Sequence, residues 1–316
     1  MNFVDEKFFK IIKEFEVLPR EEIEKKMILF YKSLPANIKK SLESFFKAYN
    51  FWGTLSEENE DFDIFKKKAK IFKEKRVEFV WLYDLLKDYK SKVVLLSVLN
   101  NYYNFDLNGL NLVADKTYRH YFDLDLLPSC KNEVFVDVGA YTGDTVLDFI
   151  ASYGGSYDKI YCYEITGNMI DYMKNNFAKL SNIEIRNLAV AEKAGKLYLN
   201  SNSASSSANR AQEEGELAVD AVSLDDDIKE KITMIKMDIE GGEISAIKGV
   251  RRHIKDDLPK LFISVYHSND DIITISKLIQ SYTDEYDFYL RYYGGNLYAT
   301  EIVLICLPKS ANRLMV

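Results

Sequence analysis

After Pro128 the chain changes hydrophobic period, and short β-branched or aromatic runs begin to alternate with segments of helical spacing. VFVDV, KIYCYEI, IEIRNLAV, KLYLN, ITMIKMD, KLFISVYH, FYLRYY and EIVLICLP read as strands, and DTVLDFIASY, GNMIDYMKNNFAKL, EISAIKGVRRHI and DDIITISKLIQSY read as helices. Strands separated by helices are joined by crossovers, and crossovers build a doubly wound, mostly parallel sheet covered by helices. The predicted class is therefore α/β and Rossmann-like, with any ligand at the carboxyl ends of the strands.

Up to about residue 128 the dominant period is helical. Phe8, Ile11, Ile12 and Phe15 share one face of the first segment, and Pro19 followed by acids, then Thr54 and Ser56 before another acidic turn, mark helix starts. The spacing predicts an all-helical N-terminal domain over residues 1–128 and an α/β domain over 129–316. The run from Lys66 to Lys75 is flanked by Glu58, Glu60, Asp61, Asp63 and Glu74, so it reads as a solvated helix face and not as a nucleic-acid site. The Ser-rich stretch 200–216 reads as a surface loop.

Composition narrows the function. A net charge of −7 and a pI near 5.3 argue against a protein that covers phosphate backbones. Cys130, Cys162 and Cys306 are odd in number and scattered, which predicts buried thiols in a reducing compartment. The first residues mix acids among apolar positions, unlike a secretory leader, and no run is long enough to span a bilayer. The expected location is the cytoplasm.

Three stretches carry chemistry. In VFVDVGAYTGDTV a strand ends at Asp137 and turns through Gly139 and Gly143 into a helix beginning near Asp144 and Thr145, where a nucleotide-like molecule can rest. Glu164 closes the next strand 25 residues beyond Gly139, the place of a carboxylate that accepts ribose hydroxyls. Asp137 suits a cationic ligand better than a pyrophosphate, and the dinucleotide fingerprint G-x-G-x-x-G is missing; S-adenosylmethionine, with its sulfonium and ammonium, satisfies both conditions. In MIKMDIEGGEISAIKG, Lys236 and Asp238 share a strand face, and Glu240 and Glu243 enter the following loop and helix, Glu243 as a helix-dipole partner.

Taken together, VFVDVGAYTGDT, YCYEI and IKMDIEGGEISAIKG resemble the FkbM family of S-adenosylmethionine-dependent methyltransferases, a class I methyltransferase fold. KLFISVYHSNDD and FYLRYYGGNLYATEIVLICLP resemble that family's closing strands, and the resemblance reaches back through YRHYFDLDLL to about residue 82, so that 82–128 matches the family's helical extension. It implies that Asp137, Gly139 and Gly143 surround the methionine part of the cofactor, and that Tyr141 and Asp144 also belong to the cofactor-binding residues. Glu164 then holds its ribose, and Asn187 and Ala189 lie near the adenine. Lys236, Asp238, Glu240 and His267 line the acceptor side. Two positions depart from the family pattern: Ile165 and Thr166 follow the ribose carboxylate where a proline is usual, and Tyr292 or Tyr293 stands where a histidine is frequent.

The implied reaction is methylation of a hydroxyl on a sugar, glycan or natural product, with Asp238 or His267 taking the proton. His120 and His253 sit in helical or connecting segments and read as structural. The reading places no metal, although Asp238, Glu240 and His267 offer donors for a divalent cation as an alternative. Competing functions are a non-catalytic scaffold on the same fold and, less well supported by the glycine spacing, a nicotinamide oxidoreductase. The expected partner is a small-molecule or glycan acceptor and no nucleic acid, and the N-terminal helices offer a surface for a second copy or a partner protein.

Overall fold

A computed structural model describes residues 1–49, 51–199, 211–212 and 217–312. Apart from residues 211–212, the Ser-rich stretch 200–216 therefore lies outside the described residues. The chain divides into two compact units, Met1–Asp115 with Val265–Ser276 and Phe288–Leu304, and Lys116–Ser264 with Lys277–Asp287 and Ile305–Val316.

Seven helices make up the N-terminal part of the first unit: α1 (Phe3–Val17), α2 (Arg20–Lys32), α3 (Ala36–Ala48), α4 (Asp63–Glu74), α5 (Arg76–Leu85), α6 (Tyr89–Asn104) and α7 (Leu107–Val113). Asn2 opens α1 with a capping box, its side chain accepting from Val4 and Asp5 N–H while Asp5 accepts from Asn2. The predicted apolar face is buried, and Phe8 stacks on Tyr83 at 4.0 Å while Phe15 stacks on Phe72 at 4.5 Å. At the other end of α1, Lys73 Nζ donates to the carbonyls of Phe15, Glu16 and Leu18, a cation placed where the helix dipole is negative. Within the basic run Lys66, Lys67 and Lys70 are exposed as expected, but Lys68 is buried against the Tyr102 ring, 3.5 Å from its centroid.

The second unit opens with β1 (Glu133–Val138), α8 (Asp144–Tyr153), β2 (Tyr157–Tyr163), α9 (Gly167–Asn176) and β3 (Ile183–Arg186), the alternation that the sequence predicts. It continues through β4 (Ala189–Val190), β5 (Gly195–Leu199), β6 (Ala211–Gln212), β7 (Leu217–Val222), α10 (Leu224–Asp227), β8 (Met234–Met237), α11 (Glu243–Lys248), α12 (Arg251–Asp256) and β9 (Lys260–Ser264). The chain passes between the units within α13 (Asp271–Tyr282), β10 (Tyr286–Tyr292) and β11 (Ile302–Pro308), and α14 (Lys309–Asn312) follows. The main sheet runs β10-β11-β9-β8-β1-β2-β3, and the pairs β9–β8, β8–β1, β1–β2 and β2–β3 are parallel.

Strand order reverses at β1: β2 and β3 extend to one side of it, β8 and β9 to the other. The crevice of a doubly wound sheet lies at this switch point, so the loops after β1 and β8 are where a ligand belongs. Register completes the placement, because Asp137 stands directly beside Lys236 on one side and Cys162 on the other.

Three local features differ from the sequence expectation. IEIRNLAV is two strands, β3 in the main sheet and β4 in a second sheet of order β4-β7-β5-β6. The strand β7, LAVDAV, is an addition that pairs antiparallel with β5. EISAIKGVRRHI is two helices, broken where Gly249 comes so close to Ala191 that a Cβ would lie 2.0 Å from its carbonyl oxygen.

Candidate active site

Gly139 leaves β1 in the left-handed region at φ +78°, and a Cβ there would lie 1.9 Å from the carbonyl oxygen of Asp238. The glycine thus lets the ends of β1 and β8 close on each other, and the amides of Gly139 and Ala140 both donate to Tyr163 O at 3.0 Å. Gly143, at φ +81°, lies over the Phe177 ring, 2.2 Å from where its Cβ would stand, and caps α8. Between the glycines Tyr141 also adopts a left-handed backbone, φ 48°, with its ring partly exposed. Asp144 begins α8 and faces solvent.

That bend aims the Tyr141 amide at Glu164, the first residue after β2. Glu164 Oε2 accepts from Tyr141 N–H at 2.9 Å, and Oε1 accepts from Ile165 and Thr166 N–H at 2.8 Å each. Glu164 is 8% exposed, and these three main-chain donors fix its carboxylate. Asn187 joins it from the end of β3, its side-chain amide donating to Glu164 O at 2.9 Å. Ala189 is buried with Ala191 and Ala221, and Ile165, Leu197 and Val219 pack against them as an apolar wall.

A chain of charges crosses the switch point. Lys236 Nζ lies 3.1 Å from Asp137 Oδ1 and donates to Gly139 O at 2.7 Å, which ties the glycine turn to β8. Burial pushes the Asp137 carboxyl up to about 6, with Lys236 opposing and the nearby carboxylates of Asp144 and Asp238 adding to the rise. Burial draws the Lys236 ammonium down, but Asp137 and Asp238 outweigh it and hold it above its usual range. Asp238, half-buried just beyond β8, accepts from Tyr121 O–H at 2.7 Å through Oδ2. Glu240 follows in left-handed backbone at φ 56°, and Glu243, expected to serve the helix dipole, is buried and accepts from Ile239 N–H at 2.9 Å.

A family model of the methyltransferase FkbM domain matches residues 137–296, just over half of the chain. The chain belongs to the FkbM methyltransferase family. A solved structure of methyltransferase FkbM from Methylobacillus flagellatus KT aligns with a TM-score of 0.64 at 26% identity, over 76% of this chain and 60% of that one. The chain thus spans less than two thirds of that relative. A putative methyltransferase from Streptococcus mutans in complex with SAH aligns at a TM-score of 0.36 and 12% identity, over 56% of this chain and 88% of that one. Fibrillarin from Aeropyrum pernix with bound S-adenosyl-L-methionine aligns at 0.36 and 9%, over 56% and 67%. No curated protein matches the chain.

Ile165 and Thr166, which follow the expected ribose carboxylate, both donate their N–H groups to Glu164, a bond that a proline at either position would lack. Tyr292 is buried in β10, with its hydroxyl donating to Gly295 O. The expected site residues Asp137, Gly139, Tyr141, Gly143, Asp144, Glu164, Asn187, Ala189, Lys236, Asp238 and Glu240 all belong to the second unit, around the ends of β1, β2, β3 and β8. His267 belongs to the first unit, buried with its ring 4.1 Å from that of Tyr266. His253 is structural as read: it is fully buried, hydrogen-bonded to Asp257 and to Ile228 O.

Sequence reasoning passed over two neighbours of Asp238. Tyr121 bonds it directly, and His120 stacks on Tyr121 with centroids 4.0 Å apart and planes 6° apart. Burial pushes the His120 imidazole down to about 4, with Asp238 pulling it up and Lys236 pushing it further down. Both lie more than a hundred residues from Asp238 in sequence, where no local spacing rule links them.

Proposed function

We propose that the chain is an S-adenosylmethionine-dependent methyltransferase acting on a hydroxyl oxygen of a sugar, a glycan or a natural-product small molecule. The observation that carries this reading is the Glu164 carboxylate, which three main-chain N–H groups hold at the tip of β2 beside the β1 glycine turn. Two carboxylate oxygens accept about four hydrogen bonds in all, so capacity remains for a ribose hydroxyl. The donor set fits the cofactor in sign as well. Asp144 and Asp238 both lie close enough to raise the Asp137 carboxyl, and such a gathering of carboxylates attracts a sulfonium and an ammonium and repels a pyrophosphate. Asp137 is wholly enclosed, so its part is to set the field beneath the turn.

When bound, the cofactor supplies an electrophilic methyl group. The protein's work is to orient and to move a proton. Lys236 fixes the Gly139 carbonyl and thereby the turn on which the cofactor rests. Asp238, just beyond β8, accepts the proton of the acceptor hydroxyl, a contribution of about 10²–10⁴ in rate. Holding the acceptor in line supplies more, since effective molarities of ~10⁵ M and above come from positioning.

The test is transfer of a radiolabelled methyl group from S-adenosylmethionine to a panel of sugars, glycosides and hydroxylated natural products. Label in one acceptor class, slowed about a hundredfold or more by Asp238→Asn, supports the reading. Cofactor binding without label in any acceptor favours the scaffold instead.

A further inference from the structure

Tyr121 is held in an unusual state. It has left-handed backbone at φ 72°, a conformation that bulky residues keep only where their surroundings enforce it, and its side chain is buried. The enforcement is visible on both sides. Arg119 pairs with Asp148 of α8, and Phe122 packs against Phe149 at 5.8 Å and Phe262 at 5.9 Å. Between these anchors the Tyr121 hydroxyl meets Asp238 Oδ2 at 2.7 Å, and Lys236 Nζ lies 5.5 Å from its ring centroid.

We propose that Tyr121 is the positioning residue of Asp238: its O–H fixes the carboxylate's rotamer and holds it in the ionised form that accepts the acceptor's proton. This rests on the reading of Asp238 as proton acceptor. A donor bonded to a carboxylate favours the charged form, and the O–H on Oδ2 fixes the plane of the carboxylate. The other charged or titratable groups of this unit that face Asp238 are Lys236 from β8, Asp137 from β1, Glu243 from α11, with a carboxylate oxygen within 4.8 Å, and His120 beside Tyr121. Because His120 stays neutral, it supports the Tyr121 ring without adding a second cation next to Lys236. A tyrosine that served only as packing would contribute its ring and leave the carboxylate's titration untouched.

Tyr121→Phe separates the two roles, since it keeps the ring and deletes the donor. With ¹³C-carboxyl aspartate labelling, and Asp238→Asn to assign the resonance, the Asp238 titration midpoint should rise by about one pH unit or more in Tyr121→Phe. Calorimetric affinity for S-adenosylhomocysteine should stay within threefold of wild type. Site-specific 3-fluorotyrosine at position 121, a stronger donor, should move the midpoint the opposite way, and this arm decides the matter should the phenylalanine variant fail to fold. A midpoint unmoved in either substituted protein overturns the proposal. Wild-type protein that binds no S-adenosylhomocysteine removes the methyltransferase reading instead, while the titration still shows whether Tyr121 controls Asp238.

Discussion

Lys236 and Asp137 face each other across the β8–β1 pair at 3.1 Å, with side chains 4% and 0% exposed. Removing one partner of such a pair leaves a buried charge uncompensated and costs about 3–5 kcal/mol. Lys236→Met should therefore be strongly destabilised, with a definite pH dependence. The Asp137 carboxyl already stands at about 6, raised by burial and held down by Lys236. Without the lysine it rises further, and a carboxyl whose folded value exceeds its unfolded one favours the fold at low pH and loses that contribution as pH rises through the folded value. Urea denaturation should show a larger loss at pH 8 than at pH 5, and Asp137→Asn in the same chain should recover most of it. Equal losses at both pH values would refute the pairing.

Two glycines with nearly the same backbone separate steric need from conformational need. Gly139 has φ +78° and no room for a Cβ, whereas Gly154 has φ +73° and open space around it. Gly154→Ala should cost about 1 kcal/mol, the ordinary penalty of a left-handed alanine. Gly139→Ala must also part the ends of β1 and β8, so its cost should exceed that by about 2 kcal/mol or more. Chemical denaturation of the two variants side by side checks the ordering.

Lys68 makes a pH-dependent prediction in the helical unit. It is 2% exposed, over Tyr102 and within 5.9 Å of the Tyr298 ring centroid, and burial pulls its ammonium down to about 7 against the opposing pull of Asp270 and Asp271. A lysine depressed in the folded state stabilises most above its unfolded value, and that contribution is lost as pH falls to the folded one. Between pH 7 and pH 9 wild-type stability should therefore rise relative to Lys68→Met, by roughly 1–2 kcal/mol. A constant difference would show that the ammonium remains charged throughout.

Much of the fold was legible in the sequence because it is local. Period changes marked α1, α8, β1 and β2, and the acids Asp137, Glu164 and Asp238 were singled out because residues at strand ends of a doubly wound sheet lie near its crevice. The rest depends on contacts that periodicity does not carry. Gly249 breaks a helix because of Ala191, and IEIRNLAV divides because β7 offers β4 a different sheet. Tyr121 reaches Asp238 from 117 residues away, and the buried role of Lys68 was masked by the exposed lysines around it.

If the turn after β1 and the Glu164 carboxylate form a cradle for a methyl donor, calorimetric titration with S-adenosylhomocysteine, with NAD as control ligand and Glu164→Ala as control protein, should show it. Micromolar binding of S-adenosylhomocysteine is expected, none of NAD, and loss of binding in a Glu164→Ala protein that still unfolds cooperatively. Folded wild-type protein that takes up no S-adenosylhomocysteine, or binds it equally well without Glu164, would contradict that cradle.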